Sequence, residues 1–483
     1  MLMTADPIVS SFDRLVGRAP GRTLIASSGR TASAGDVHAL SHTLALILAE
    51  ALLPRDSLVG LVAPNGPAFL AGLLAQRRSG LATLLLDPAA PEVEARRVAT
   101  ELGADATLIC RTGWPQSRDD WSLARFPRPD TPTPRPIGQS IVKVTSGSTG
   151  RPRGVAASAE CLVADEEGLF STMGLREDDR ILAAIPMGHS YGLSSAVLPA
   201  LVRGLVLVVP SGPNPLAPLD AARSLGATFF PTVPAYLSGI VRLERPELWP
   251  RSLRLVISAG APLSPAVAAA FREAHGQAVH SFYGASECGG ICYDRDGGAA
   301  ERGTVGTPVD GVRVSLEPAA GMDGGEGAVI VESAATALSY VPDPDPQLGA
   351  GRFRAGDRAA WLDGELQLRG RIDDLINVRG KKVDPGEVER ILTQLEGVRE
   401  AAVFGVPSPV DGGQTVRAVV ACRPGGLTRQ QVLVFCRARL AEHKVPRSVR
   451  LVGELPRTDR GKIDRQALLF VGDDSAADER ARD

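Results

Sequence analysis

From Pro20 to Ile109 the chain switches, at short and regular intervals, between helical periodicity and brief apolar runs. The spacing predicts helices over 37–52, 67–78 and 91–102, the last stopped by Gly103, and strands over 58–63 and 81–86. Strands separated by helices of that length must return in the same direction, which predicts parallel α/β layers. The alternation resumes with strands expected at 181–185, 205–209 and 253–258 and helices at 194–201 and 265–275. After Gly290 the texture changes to short strands broken by Gly and Asp turns, the pattern of a small antiparallel β-barrel. From Val383 it changes again, to helix (388–395), strand (400–404), strand (415–421) and helix (428–441), a separate α+β domain of ordinary size. The expected fold is therefore α/β: a large N-terminal domain with a small barrel (1–372), a small α+β C-terminal domain (373–471) and a polar tail (472–483) expected to be disordered.

Composition narrows the function. A length of 483 residues with 44% hydrophobic and 22% charged side chains describes a globular protein with ample core. A formal charge of −2 supports neither nucleic acid nor an anionic membrane as partner. The start, with Asp6 and no apolar centre, does not read as a leader, and the most apolar run, 196–210, is broken by Arg203 and too short for a bilayer. The expected location is the cytoplasm. Six cysteines (110, 161, 288, 292, 422, 436) lie scattered without a Cys-x-x-Cys pair, and are expected as reduced, buried thiols. Of 53 Lys plus Arg only five are lysine: 143, 381, 382, 444 and 462. A chain that otherwise uses arginine marks, at a lysine, a place that takes a compact point charge.

One stretch carries chemistry by itself. An apolar strand from Ile141 runs into Thr145-Ser146-Gly147-Ser148-Thr149-Gly150, followed by Arg151, Arg153 and Gly154. The glycines permit close backbone approach, consecutive N–H groups form an anion nest, and hydroxyls and arginines donate to phosphate oxygens. The stretch reads as a polyphosphate cradle. No Gly-Lys-Ser/Thr follows the glycines, so it is not a Walker loop.

Five further segments stand in order behind it: FYGASE (282–287), GTVGTP (303–308), RAGDRA (354–359), GRIDDLINVRGKKVDPGEVE (370–389) and PRTDRGKIDR (456–465). Together the six resemble the motifs of the adenylate-forming superfamily, which includes acyl-CoA synthetases, adenylation domains of peptide synthetases and luciferases. The form of the segments is closest to acyl- or aryl-CoA ligases. The resemblance spans nearly the whole chain. It implies ATP, Mg2+ and coenzyme A as cofactors and a carboxylic acid as substrate. Thr145, Ser146, Gly147, Ser148, Thr149, Gly150 and Arg153 would hold the phosphates. Glu287 would hold Mg2+, Tyr283 with Gly284 and Ser286 would meet the adenine, and Gly260-Ala261-Pro262 would form the opposite wall. Asp357 and Arg371 would reach the ribose, and Lys462 would bridge substrate carboxylate and α-phosphate. Taken singly, Tyr283 reads as core and Glu287, Asp357 and Lys462 as solvated surface groups; only their shared register gives them these roles.

The resemblance also implies an acyl pocket at Ala259, Gly284 and the segment containing His189, Ser190 and Tyr191, with His189 as wall and gate. Amino-acid-activating relatives place an Asp where Ser190 stands, and a buried ammonium without a counter-charge is costly. An aryl or short- to medium-chain acid is the expected substrate. Arg379, Lys381 and Lys382 would meet CoA phosphates, Gly380 would let a pantetheine arm pass, and Asp373 would be the hinge of a mobile C-terminal domain. A free-standing enzyme loading a separate carrier protein is the alternative, because both acceptors present the same thiol; a non-catalytic sensor on the same fold would need neither Glu287 nor Lys462. The chain ends soon after the lysine loop, so no fused carrier domain is expected. The family's usual Lys is Arg153 here, and Ser339-Tyr340 replaces a Gly-Tyr late in the barrel.

Overall fold

The structure, a computed structural model, describes residues 6–127, 135–146, 152–318, 325–372, 376–378, 381–407, 414–440, 442–458, 463–464 and 467–468. Contacts divide the chain into two compact units: unit 1 is Met1–Ser315, Ile330–Ala355 and Trp361–Gln367, and unit 2 is Leu316–Val329, Gly356–Ala360 and Leu368–Asp483.

Unit 1 contains two large sheets. The first runs in the order Thr307–Pro308, Gly289–Tyr293, His280–Ala285, Leu255–Ser258, Phe229–Thr232, Arg180–Leu182, Val206–Val208, Thr23–Ser27, Arg30–Ser33. Its middle strands, from His280–Ala285 to Thr23–Ser27, are parallel, and its edges turn antiparallel. The second runs Ser339–Val341, Pro152–Ala157, Ile141–Ser146, Ala82–Leu85, Leu58–Val62, Ala106–Cys110, Trp121–Arg125, again parallel in the middle and antiparallel at both ends.

The parallel strands are apolar on both faces because helices cover them. Helix Pro67–Arg78 shows the extreme case, with every residue from Pro67 to Gln76 buried. Helix Ala34–Glu50 starts earlier than its periodicity suggests, since Ser33 and Asp36 form a reciprocal capping box that satisfies two orphan N–H groups. In the core beside the first sheet, Trp249 meets Phe271 edge-on at 4.8 Å and packs with Phe230.

Three features differ from the sequence reading. The helix expected at 194–201 is π-helical over Leu193–Val197 before α-helix Leu198–Arg203. Pro199 lacks an N–H and crowds the carbonyl one turn back, which favours the wider turn. Ser339-Tyr340 does not belong with the small sheet expected as a barrel: Ser339–Val341 pairs with Pro152–Ala157 at the edge of the second large sheet. The remaining strands of that region, Arg313–Glu317, Glu326–Glu332, Leu348–Gly349, Arg352–Leu362 and Glu365–Arg371, form a five-stranded sheet. The antiparallel edge strand Trp121–Arg125 and the strand Ser448–Val452 were not expected from the sequence.

In unit 2, Val398–Pro407 pairs antiparallel with Gln414–Cys422, which pairs parallel with Ser448–Val452. Helices Pro385–Leu392 and Arg429–Arg437 pack Val388, Leu392, Val432 and Cys436 against Val403, Val416 and Val420. Asp384 caps the first helix by accepting from Gly386 N at 2.9 Å, with Pro385 at its first position. Among the described residues no helix is long and apolar enough to cross a membrane.

Candidate active site

Lys462, Asp373, Arg379, Gly380 and Gly147, Ser148, Thr149 and Gly150 lie outside the described residues. Ser146, Lys381 and Lys382 are described by backbone alone: Ser146 pairs with Pro152, and Lys381 and Lys382 sit in the strand paired to Ile376–Val378.

The remaining phosphate-loop residues sit on a hairpin. Ile141–Ser146 and Pro152–Ala157 are antiparallel neighbours, with Thr145 opposite Arg153, and Thr145 Oγ1 donates to Arg153 O at 3.2 Å. The next strand, Ser339–Val341, approaches closely because Gly154 has no side chain. A Cβ there would stand 2.6 Å from Val142 Cγ1 and 2.7 Å from Val341 Cγ2. Tyr340 then pairs with Val155, so it lies diagonally from Arg153 on the same face of the sheet. The Arg153 guanidinium stacks 3.5 Å from the Tyr340 ring centroid, and Arg153 Nη2 pairs with Asp345 Oδ2 at 2.8 Å. The Tyr340 hydroxyl donates to Glu287 Oε1 at 2.8 Å. Burial first, and then the Glu287 carboxylate, push the Tyr340 hydroxyl well above its usual range, so it remains a donor. The Arg153 hydrogen bond holds the Asp345 carboxyl below the usual carboxylate range.

Glu287 ends the second hairpin. His280–Ala285 and Gly289–Tyr293 pair antiparallel with a bulge between Tyr283 and Gly284, and Glu287 O is pinned by Ala337 N at 2.8 Å. Tyr283 is half-buried and Gly284 exposed. Gly260, Ala261 and Pro262 are exposed and follow strand Leu255–Ser258, the parallel neighbour of the strand bearing Tyr283. Gly260 holds φ +86°, a conformation that glycine tolerates. Gly260, Ala261 and Pro262 thus lie past the carboxyl end of Leu255–Ser258, and Tyr283 lies in the part of its own strand beyond the last parallel pair, Ser258 opposite Ser281, at the end where open α/β sheets bind ligands.

On the acyl side, Ser190 Oγ and Ser286 Oγ are 2.7 Å apart, joining the two segments. His189 is half-buried and precedes the short helix Ser190–Gly192. Ala259 is buried, its N–H donating to Thr232 O at 3.1 Å. The Tyr191 hydroxyl donates to Thr232 O at 3.2 Å, which commits it to the sheet, and burial pushes it well up. Asp165, which the sequence did not single out, is buried beside this region. It accepts from Ser194 Oγ at 2.6 Å and from Gly290 N at 2.9 Å. Burial raises its carboxyl despite those donors and the nearby charge of Lys143, itself a buried lysine on the phosphate-loop strand. All six cysteines are buried and free.

In unit 2, the half-buried Asp357 and exposed Arg371 lie on adjacent strands: Ile372 N donates to Gly356 O at 2.7 Å, and a Cβ on Gly356 would meet Arg371 Nη2 at 2.8 Å. The neighbouring Arg358 is buried and pairs with Glu326 Oε2 at 3.2 Å and Asp384 Oδ2 at 2.8 Å.

Glu287 suits a magnesium ion. Among the described residues no group of three His, Cys, Asp or Glu side chains could cage a metal. A lone carboxylate fixed through one oxygen and placed beside a phosphate-loop strand matches a small hard cation that takes one protein oxygen and completes its shell with phosphates and water.

Two family models match the chain: "AMP-binding enzyme" over residues 12–341 and "AMP-binding enzyme C-terminal domain" over 387–462. The chain therefore belongs to the AMP-binding enzyme family, as an adenylate-forming ligase of the AMP-forming acyl-CoA synthetase class. It is 30% identical over 441 residues to a feruloyl-CoA synthase of Amycolatopsis sp, covering 86% of this chain and 88% of that protein. It is 28% identical over 476 residues to the sulfoacetate–CoA ligase of Cupriavidus necator, covering 92% and 93%. Among solved structures, ATP-bound MatB from Rhodopseudomonas palustris superposes with a TM-score of 0.83 at 25% identity, over 98% of this chain and 100% of that one.

Proposed function

We propose that the protein is an ATP-dependent carboxylate–CoA ligase of the cytoplasm acting on an aryl or short- to medium-chain acid. The observation that carries the reading is the Glu287 carboxylate, held by Tyr340 beside Arg153 on the hairpin of the phosphate loop. Thr145, Ser146, Ser148, Thr149 and Arg153 hold the polyphosphate, and Tyr283 and Gly260-Ala261-Pro262 sandwich the adenine. Asp357 and Arg371 bind the ribose. Glu287 would ligate Mg2+, which when bound neutralises phosphate charge. Lys462 aligns the substrate carboxylate with the α-phosphorus and stabilises the charge that develops there. The carboxylate oxygen attacks the α-phosphorus and pyrophosphate leaves. A pantetheine thiol then attacks the acyl carbonyl, giving up its proton, and AMP leaves. The C-terminal domain turns about Asp373 between the two steps, with Arg379, Gly380, Lys381 and Lys382 receiving the CoA arm.

Ser190 supports the substrate class. It faces Ser286 rather than presenting an acid for a substrate ammonium. The sulfoacetate and feruloyl relatives each carry the name of an acid without an α-amino group. The test is acid-dependent pyrophosphate release over aryl, aliphatic and amino acids, with CoA and with a pantetheinylated carrier protein as alternative acceptors. Thioester on CoA from an aryl or aliphatic acid is the expected result. Transfer to the carrier alone, or activation of α-amino acids alone, overturns it.

A further inference from the structure

We propose that Tyr340 is a positioning residue for the metal-binding carboxylate, and that it links Glu287 to the phosphate-loop arginine. The proposal rests on the assignment of Glu287 to Mg2+ made above. A glutamate side chain has three rotatable bonds, and one oxygen can serve a metal in register only if the other is held. Among the described residues the Tyr340 hydroxyl is the hydrogen-bond partner of that carboxylate, at 2.8 Å on Oε1. Oε2 is left for the ion.

The tyrosine is itself fixed through its strand and through its ring. Its strand is registered against Val155 and Gly154. Its ring lies under the Arg153 guanidinium at 3.5 Å, and Arg153 is anchored by Asp345 at 2.8 Å. Tyr340 is 6% exposed, so its hydroxyl has few alternatives to Glu287. The result is one chain of contacts, Asp345 to Arg153 to Tyr340 to Glu287, running from the phosphate-loop hairpin to the metal acid. A cation over an aromatic ring makes the hydroxyl at its edge a better donor, so the stack strengthens the hold on the carboxylate. The same arginine is a candidate phosphate ligand, so nucleotide that recruits Arg153 acts on the ring holding Glu287.

The test uses Tyr340→Phe, which keeps the ring and the stack and removes only the hydroxyl. The probe is Mn2+, titrated by electron paramagnetic resonance into full-length enzyme with a saturating, non-hydrolysable ATP analogue. Metal affinity is expected to fall about 10- to 100-fold, the range for losing an outer-shell partner of a ligand. Metal-free affinity for the analogue and the melting temperature stay as in the parent protein. Glu287→Gln loses the same metal binding, and the double variant loses no more than Glu287→Gln alone. Parent-like metal affinity in Tyr340→Phe, with loss in Glu287→Gln, overturns the positioning role and leaves the magnesium assignment standing. Parent-like affinity in both overturns the magnesium assignment as well. A fall in metal-free nucleotide affinity as large as the fall in metal affinity, or a lowered melting temperature, assigns Tyr340 a merely structural role and also overturns the proposal.

Discussion

Gly284 sits where the two arms of the hairpin carrying Tyr283 and Glu287 approach backbone to backbone, and Gly284→Ala measures what that closeness does. A Cβ at this position would stand 2.7 Å from Gly289 O and 3.4 Å from Gly289 C. Ordinary Cβ contacts begin at 3.4 Å, so the two arms must separate by 3.4 − 2.7, about 0.7 Å. Both sides of the clash are backbone, and no side chain can swing away. Overpacking of this kind costs about 1–3 kcal/mol of stability. The displacement falls on the residues between the adenine candidate and the metal acid. A misplacement approaching 1 Å in a catalytic array lowers the rate by up to about 100-fold. The assay pairs a thermal melt with acid-dependent ATP–pyrophosphate exchange. The variant is expected to melt lower and to lose exchange by about 10- to 100-fold. The control is Gly239→Ala in the exposed face of helix Pro234–Arg242, where a Cβ meets nothing within 4 Å. It is expected to stabilise by about 0.5–1 kcal/mol with no change in exchange. Parent-like exchange and melting in Gly284→Ala would refute the packing argument.

Three further outcomes are expected. Asp384→Asn keeps the helix cap but removes the charge facing buried Arg358, and should destabilise by about 1–3 kcal/mol, because Glu326 still pairs the guanidinium; an unchanged melting temperature would show that the pair contributes nothing. Lys462→Ala should slow adenylation by about 100- to 1000-fold while sparing transfer from supplied acyl-adenylate; equal loss in both steps would contradict its role. His275 packs against Trp249 and Phe271, both its ring nitrogens lack a hydrogen-bond partner among the described residues, and burial lowers its pKa below 6.5. The unfolded chain then binds a proton that the folded protein resists, so stability falls as pH drops below 6.5 toward the folded value. His275→Phe should flatten that limb of a pH-dependent melting curve, and an unaltered slope would assign it to other groups.

What could be read from the sequence follows from where the information lies. The strands at 58–62 and 82–85 and helix 67–78 are apolar runs or periodic segments broken by Gly and Pro, so local chemistry marks them. The phosphate loop and the segment around Glu287 are equally local. Tyr340 was not legible as a site residue, because its bond to Glu287 spans 53 positions in sequence. It also depends on Gly154 letting a third strand close in. Nor was Asp165, the first of three consecutive acids (165–167) in helix Ala159–Thr172, which stands out only once Ser194 and Gly290 turn toward it. Strand Trp121–Arg125 alternates buried and exposed side chains only at its start, too short a signal beside the Pro-rich stretch that follows. The π-helical turn at Leu193–Val197 hides inside an apolar run, where only Pro199 marks it.

The most direct test of the central claim is isolation of the intermediate. Full-length enzyme is mixed with Mg·ATP and its preferred acid in the absence of CoA, acid-quenched, and analysed by mass spectrometry; CoA is added to a parallel sample before quenching. An acyl-adenylate is expected in near-stoichiometric amount with the enzyme, together with pyrophosphate, and CoA addition is expected to convert it to acyl-CoA and AMP. Formation of ADP and phosphate, or of acyl-CoA with no adenylate trapped in single-turnover time courses, would contradict the claim.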